Sequence, residues 1–332
     1  MRVSAALDGP VAVLGFGNQG EAHALNLRDS GVDVLAGARP GRSGEARARA
    51  LGFTVLAPLE AARRARIVAV LLPDEVVPEA WGELGHALAP QAGVVFAHGF
   101  NLLYSDLAFP AGADVVLVSP TGPGRVLRSR YEAGGGLPAY LAVHRDGSGR
   151  AWDLAEAYAT AIGSARERLW KTTVREETEV DLFGEQTVLC GGMNALVTAA
   201  FETLVARGYS PEIAYLECVH QLRYLAELLH ERGVAGMRGA ISGTALFGDL
   251  TRGPRVIGPP ARAEMERILE EIRSGAFARE WMAEVAAGRP TLDSGLRRGA
   301  EHPIEEARRA AVTPGGASDA GGYESRKTLS KN

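Results

Sequence analysis

The sequence predicts an α/β domain with a doubly wound sheet, followed by an all-α domain. Three observations carry that reading. Short apolar runs alternate with helix-length stretches through the first half. A glycine-rich turn directly follows the first run. Beyond about residue 151 the β-branched runs stop, and Ala, Leu, Glu and Arg take over. The length of 332 residues suits two domains of roughly 150 residues each.

The elements follow in chain order. Val11–Gly15, Asp33–Gly37, Ile67–Leu72, Gly93–Ala97, Asp114–Ser119 and Ala139–His144 are short, rich in Val, Leu and Ala, and lack polar alternation. Buried parallel strands read this way. Strand–helix alternation implies helices on both faces of one sheet. Ala151–Ile162, Val180–Arg207, Ser210–Glu231, Pro260–Ser274, Ala276–Ala287 and Ile304–Ala311 are the expected later helices. The domain boundary falls near 173, giving 1–173 and 174–312. Residues 313–332, opening Thr-Pro-Gly-Gly-Ala-Ser, lack the apolar content for a core and read as a disordered tail.

The net charge is −4, which argues against a nucleic-acid partner. No run by eye reaches the ~18 apolar residues of a membrane span. Met1–Asp8 lacks the pattern of a secretory signal, and two cysteines, Cys190 and Cys218, are too few for a disulfide framework. A cytoplasmic protein without membrane contacts is expected. Lysine occurs only at Lys171, Lys327 and Lys331. The body of the chain thus offers one candidate for chemistry that needs a titrating ammonium.

The turn Gly15-Phe16-Gly17-Asn18-Gln19-Gly20 follows a strand and opens a helix. Gly15 suits the tight turn, Gly17 lets backbone approach a pyrophosphate, and Gly20 allows close helix–strand packing. The helix N-terminus offers amides and a positive dipole end. A dinucleotide is therefore expected. NAD sites place a carboxylate at the end of the second strand. This chain reads Gly37-Ala38-Arg39-Pro40-Gly41-Arg42-Ser43 there. Arg39, Arg42 and Ser43 suit a 2′-phosphate, so NADPH is favoured over NADH.

Two polar pairs at helical spacing stand out. Asp181 and Glu185 share one helix face. Neither has a cation four residues on, and oxygen ligands of this kind suit Mg²⁺. Glu217 and Gln221 form the second pair, in a largely apolar stretch.

These residues sit within segments that resemble the short form of ketol-acid reductoisomerase, also called acetohydroxyacid isomeroreductase. The matches run in order from about Gly9 to Arg309. They include Gly15-Phe-Gly-Asn-Gln-Gly, Leu71-Leu-Pro-Asp-Glu, Phe96-Ala-His-Gly-Phe-Asn, Gly122-Pro-Gly, Glu176-Glu-Thr-Glu, Asp181-Leu-Phe-Gly-Glu-Gln and Leu189-Cys-Gly-Gly. Tyr209-Ser-Pro-Glu-Ile, Ile241-Ser-Gly-Thr-Ala and Ala300-Glu-His-Pro-Ile-Glu follow.

The resemblance implies an α/β Rossmann domain plus an all-α, knotted C-terminal domain. It implies a homodimer with a shared active site, or a higher oligomer. It also implies a ketol-acid substrate whose alkyl group migrates with Mg²⁺ before NADPH reduces the new 2-keto group, in branched-chain amino acid synthesis. By position, Asp181 and Glu185 match metal ligands, and Glu217 matches a ligand from the partner subunit. His98 matches the histidine near substrate and nicotinamide. Ser242 matches a substrate-carboxylate ligand. Pro73, Asp74 and Gly124 fall in the cofactor-binding segments.

The sequence also departs from the family pattern. Thr121 stands where the family has lysine, Gln221 where it has the fourth carboxylate, and Arg125 where it has histidine after Gly-Pro-Gly. Glu21 replaces a histidine in the first helix, and Gly243-Thr-Ala-Leu-Phe-Gly-Asp replaces Asn-Thr-Ala-Glu-Tyr-Gly-Asp. Alkyl migration needs charge held across adjacent oxygens and nearby proton carriers, whereas hydride transfer asks less. The expectation is an NADPH-dependent oxidoreductase with reduction retained and isomerisation weakened or altered. The alternatives are an ordinary ketol-acid reductoisomerase and an NADPH-binding pseudoenzyme that pairs with an active homologue.

Overall fold

The computed structural model describes residues 5–312; the segment expected as a tail lies outside them. Eight strands form one sheet: β1 Val11–Leu14, β2 Val34–Gly37, β3 Thr54–Leu56, β4 Ile67–Val70, β5 Gly93–Phe96, β6 Asp114–Pro120, β7 Ala139–Asp146 and β8 Leu169–Lys171. The order is β3-β2-β1-β4-β5-β6-β7-β8. The helices are α1 Asn18–Asp29, α2 Ser43–Ala50, α3 Pro58–Arg64, α4 Val77–Ala87, α5 Phe100–Tyr104, α6 Gly124–Glu132, α7 Ala151–Ala161, α8 Val174–Gly184, α9 Gly191–Val205 and α10 Pro211–Tyr215. After them come α11 Leu222–Arg238, α12 Gly243–Val256, α13 Pro259–Arg273, α14 Ala276–Ala286, α15 Pro290–Glu301 and α16 Pro303–Val312.

All six expected strands form. Two three-residue strands, β3 and β8, are added at the sheet edges; three residues are too few to establish a period. The expectation of a wholly parallel sheet needs correction, because β7 runs antiparallel to β6. The chain leaves β6 at Pro120 and, after α6, re-enters beside it, with Ala139 opposite Pro120. The order reverses between β1 and β4, where such sheets place their ligand crevice beyond the strand C-termini.

Contacts divide the chain into two units. The first comprises residues up to Leu182 with Gly275–Met282, and the second Phe183–Ser274 with the residues from Ala283. In the first unit, one core cluster joins Val11, Val13, Val95 and Val116 to Leu27, Leu127, Tyr158 and Ile162. The other joins Leu14, Val68, Val94 and Leu117 to Ala61, Trp81, Leu84 and Leu102. Strands β1, β4, β5 and β6 must be continuously apolar because each feeds both clusters.

Helix α1 carries polar groups into this core. Asn26 Nδ2 donates to Ile162 O at 2.9 Å and Ser30 Oγ to Ala161 O at 2.7 Å. Both cap carbonyls that the end of α7 leaves without helical partners. His23 is fully buried, with Nδ1 3.1 Å from the Tyr158 hydroxyl. Burial lowers its pKa to about 3.

In the second unit, the expected stretch Val180–Arg207 forms but is interrupted. A π-helical turn, Glu185–Leu189, separates α8 from α9. A Cβ on Gly191 would lie 2.2 Å from Gln186 O, and one on Gly192 1.9 Å from Thr187 O. The Gly-Gly pair is thus what lets the wide turn close into α9. A second π turn, Leu216–His220, separates α10 from α11, and α11 bends at Gly233, where φ is +65°. Helices α12 and α15 were not expected, because Gly and Pro interrupt their sequences.

The stretch Val174–Val205 is long and apolar enough by composition to cross a membrane, with mean hydropathy 1.5 over its most apolar window. This corrects the expectation of no such run; Gly, Thr and Asn break up its apolar residues. Cys190 is exposed, although its sequence neighbours Val188 and Leu189 are apolar. The buried cluster here is small, Phe201, Ala214 and Ala307, while Leu189, Ile213, Phe247 and Val256 are each about 60% exposed.

Buried neutral His23 makes a testable contribution to stability. Its folded pKa of about 3 lies below the ordinary 6.5, so below pH 6.5 only the unfolded chain takes up the proton. Stability from this group is complete above pH 6.5 and is lost as the pH falls towards 3. By pH 5 the loss is about 2 kcal/mol. In thermal unfolding, the wild-type Tm should fall further between pH 7 and pH 5 than that of His23→Gln. Equal falls would contradict the assignment.

Candidate active site

The glycine loop is built by close approach. Gly15 has φ +93°, and a Cβ there would lie 2.4 Å from Leu71 O at the end of β4. A Cβ on Gly20 would lie 1.9 Å from Gly15 O, whereas one on Gly17 would meet nothing within 4 Å. The cradle is therefore tight beneath and open above, as a pyrophosphate requires. Phe16 is buried and packs edge-on against Phe53, with ring centroids 5.5 Å apart.

Helix α6 closes the cradle from the other side. A Cβ on Gly124 would lie 2.0 Å from Asn18 O. Gln19 Nε2 donates to Gly122 O at 3.0 Å, and the Arg125 amide donates to Asn18 Oδ1 at 3.3 Å. Asn18 and Gln19 thus tie the glycine loop to the Gly122-Pro-Gly turn. Two helix N-termini, of α1 and α6, converge here and would favour an anion. Arg39, Arg42 and Ser43 are exposed at the end of β2.

A second cluster lies where β5 meets α8. His98 follows β5, with Nδ1 3.3 Å from Asp181 Oδ2 and 3.6 Å from Glu177 Oε1. The Glu177 side chain is fully buried, and its Oε2 accepts from the Gly99 amide at 3.1 Å. A Cβ on Gly99 would sit 2.1 Å from Thr178 Oγ1, so α8 can approach this turn only over glycine. Asn101 Nδ2 donates to Asp74 Oδ1 at 2.9 Å.

Burial of the His98 ring opposes protonation. The carboxylates of Glu177, Asp74 and Asp181 outweigh it and raise the pKa to about 9. The imidazolium is thus the resting form near neutral pH. Burial raises the Asp74 pKa, while His98 and Asn101 pull it down.

His98, Asp74 and Asp181 come together as neighbours in charge. Glu177 was missed, although it lies four residues before Asp181 in Glu176-Glu-Thr-Glu, the spacing that aligns side chains on one helix face. Asp181 lies in the part of α8 that belongs to the first unit, which ends at Leu182.

In the second unit, Glu185 is the first residue of one π turn and Glu217 the second residue of the other; Gln221 directly follows. π turns often mark functional sites. All three are exposed. Ser242 caps α12, its Oγ accepting from the Ala245 amide at 3.3 Å. Among the described residues, no three His, Cys, Asp or Glu side chains are grouped to hold a metal.

The departure from the family pattern at Thr121 acquires a structural meaning. The Thr121 hydroxyl donates to Pro138 O at 3.0 Å, and its amide donates to the same oxygen at 2.9 Å. Its proton is committed to backbone. Lys171 offers no replacement for the absent lysine here. Its Nζ pairs with Glu156 at 2.8 Å and lies 4.6 Å from the Trp152 ring centroid, on edge strand β8.

Comparison with known proteins gives a consistent picture. Residues 7–167 match the family model for the acetohydroxy acid isomeroreductase NADPH-binding domain. Residues 174–311 match that for the ketol-acid reductoisomerase C-terminal domain. An NADH-preferring ketol-acid reductoisomerase from an uncultured archean superposes with a TM-score of 0.89 at 36% identity, covering 93% of this chain and 96% of that one. At fold level only, a semialdehyde dehydrogenase NAD-binding protein from Cupriavidus necator gives TM 0.62 at 21% identity, covering 80% and 99%. A 1-pyrroline-5-carboxylate reductase from Streptococcus pyogenes gives TM 0.53 at 11%, covering 80% and 98%.

The His98 cluster predicts a specific response to mutation. In metal-free protein, an NMR titration of His98 should give a pKa near 9. Glu177→Gln removes the nearest buried carboxylate and should lower that pKa by about one unit or more. An unchanged value would mean that Glu177 does not set the charge of His98.

Proposed function

From the premise that this chain belongs to the ketol-acid reductoisomerase family, we propose that it is an NADPH-dependent, Mg²⁺-assisted enzyme that reduces a 2-keto acid or ketol-acid. Reduction is retained, and isomerisation is weakened or altered. The observation that carries this reading is Thr121, whose hydroxyl is bound to Pro138 O where the family pattern places a lysine. The nicotinamide oxidoreductase character follows from the family itself.

The glycine cradle fits the dinucleotide: Gly15, Gly20 and Gly124 leave no space for a Cβ beneath it, and Gly17 leaves space above. Arg39, Arg42 and Ser43 would hold the 2′-phosphate. His98, whose Nδ1 faces Glu177 and Asp181, can donate a hydrogen bond to the keto oxygen and then its proton as charge develops there. Ser242, at the start of α12, would bind the substrate carboxylate.

Asp181 and Glu185, with Glu217 from a second copy, have the carboxylate chemistry that Mg²⁺ prefers. When bound, the ion would polarise the substrate carbonyl and steady charge on adjacent oxygens. Gln221 offers a neutral oxygen where the family pattern has a carboxylate, and Thr121 cannot exchange a proton near neutral pH. Arg125 stays protonated and cannot shuttle one. Each loss at a transition-state charge commonly costs ~2–4 kcal/mol, or ~10²–10³ in rate. These losses fall on migration more than on hydride transfer.

The reading includes a cytoplasmic homodimer with a knotted helical domain and a shared active site. Its support is the exposed apolar surface of the second unit, where Leu189, Ile213, Phe247 and Val256 face solvent in a single chain. Soluble monomers rarely expose so much. Sedimentation should show a dimer or larger species, and Phe247→Asp with Val256→Asp should shift it towards monomer. A wild-type monomer at micromolar concentration would contradict the dimer.

An ordinary ketol-acid reductoisomerase is the second reading, favoured by the full-length match at 36% identity. NADPH oxidation separates the two. Turnover of 3-hydroxy-3-methyl-2-oxobutanoate should exceed that of 2-acetolactate by about 10² or more. Thr121→Lys with Gln221→Glu should recover part of the difference. Equal turnover of both substrates by the wild type would support the second reading.

A further inference from the structure

A carboxylate stands just behind the loop assigned to the cofactor's adenosine end. Glu45 lies two residues beyond Ser43, in the first turn of α2. Its Oε2 accepts from the Gly41 amide at 2.6 Å, and Arg49 donates to its Oε1 through Nη2 at 3.0 Å and Nε at 3.2 Å. The Gly41 amide and then Arg49 hold its pKa below the usual carboxylate range. Gly41 has φ +73°, and the Arg42 amide donates to Arg39 O at 3.3 Å. The Arg39–Ser43 loop is therefore folded around the Glu45 carboxylate.

The loop and its carboxylate are also fixed against the glycine cradle. A Cβ on Gly44 would lie 3.3 Å from Phe16 O. Two residues beyond Glu45, Arg47 forks onto Glu21 of α1, with Nη2 2.7 Å from Oε1 and Nε bonded to Oε2. Helix α2 is thereby fastened to α1, and Glu45 cannot drift away when a cofactor arrives. One of the loop's amides, that of Gly41, is already taken by an internal anion.

We propose that Glu45 is a specificity-determining residue, a fixed negative charge that lowers the preference of the Arg39–Ser43 loop for a ribose 2′-phosphate over a 2′-hydroxyl, and that Arg49 is the counter-charge that limits its effect. This rests on the reading that the loop holds the adenosine ribose. The physical basis is a difference in charge. A 2′-phosphate is attracted by Arg39 and Arg42 and repelled by Glu45, while a hydroxyl feels neither strongly. Screened interactions between charges several ångströms apart near a surface amount to about three- to tenfold in affinity.

The test uses the full chain and the dissociation constants of NADPH and NADH, read from nicotinamide fluorescence at low ionic strength. Glu45→Gln keeps an oxygen for the Gly41 amide but removes the charge. The ratio of NADPH to NADH affinity should rise about three- to tenfold. Arg49→Gln exposes the Glu45 charge, so the same ratio should fall. A merely structural role would weaken both cofactors together and leave the ratio unmoved in each variant. An unmoved ratio, or a shift of the same sign in both variants, overturns the proposal. A wild type that binds NADH more tightly than NADPH would instead overturn the NADPH reading, and the opposite shifts of the two variants would still stand.

Discussion

The buried carboxylate of Glu177 is the constraint on which the catalytic half of the account depends. It has no access to water, and a buried charge persists only when it is paired and hydrogen-bonded. Its Oε2 accepts from the Gly99 amide and the Thr178 hydroxyl, and its Oε1 faces the His98 ring at 3.6 Å as a charge neighbour. Satisfying it draws α8 onto the turn after β5, so close that residue 99 can carry no side chain. Once α8 is seated there, Asp181 falls beside His98 one helical turn on. The His98 ring then lies against carboxylates at the end of the sheet.

The cofactor half depends on backbone packing instead. The close approaches of Gly15, Gly20 and Gly124 to carbonyl oxygens bring two helix N-termini to one crevice. None of this requires Thr121 or Gln221. The two halves can therefore diverge: binding and reducing machinery can persist while residues suited to alkyl migration change. The Thr121 hydroxyl is bonded to backbone, and Lys171, the one lysine among the described residues, is engaged with Glu156.

Much of this was legible in the sequence. The six longer strands announce themselves as short apolar runs, most plainly β1, β4 and β5, whose residues are buried on both faces of the sheet. The glycine turn is legible because its spacing reports a backbone geometry. Edge strands β3 and β8 are three residues long and leave no periodic trace. The antiparallel entry of β7 was hidden because pairing direction depends on where the chain returns. Glu177 looked like one of several glutamates in a charged run; its role appears only when the partner turn after β5 is in place. Likewise, the π turns at Glu185 and Glu217 keep a helical composition, with only Gly191-Gly192 hinting at the first.

The central claim is that hydride transfer is intact and isomerisation is slow. The most direct measurement is the primary isotope effect on kcat with NADPH deuterated at the transferred position. With 2-acetolactate and Mg²⁺ an effect near unity is expected, because migration would precede and limit hydride transfer. With 3-hydroxy-3-methyl-2-oxobutanoate it predicts a clear normal effect. The same large effect with both substrates would show that migration is not limiting and would contradict the account.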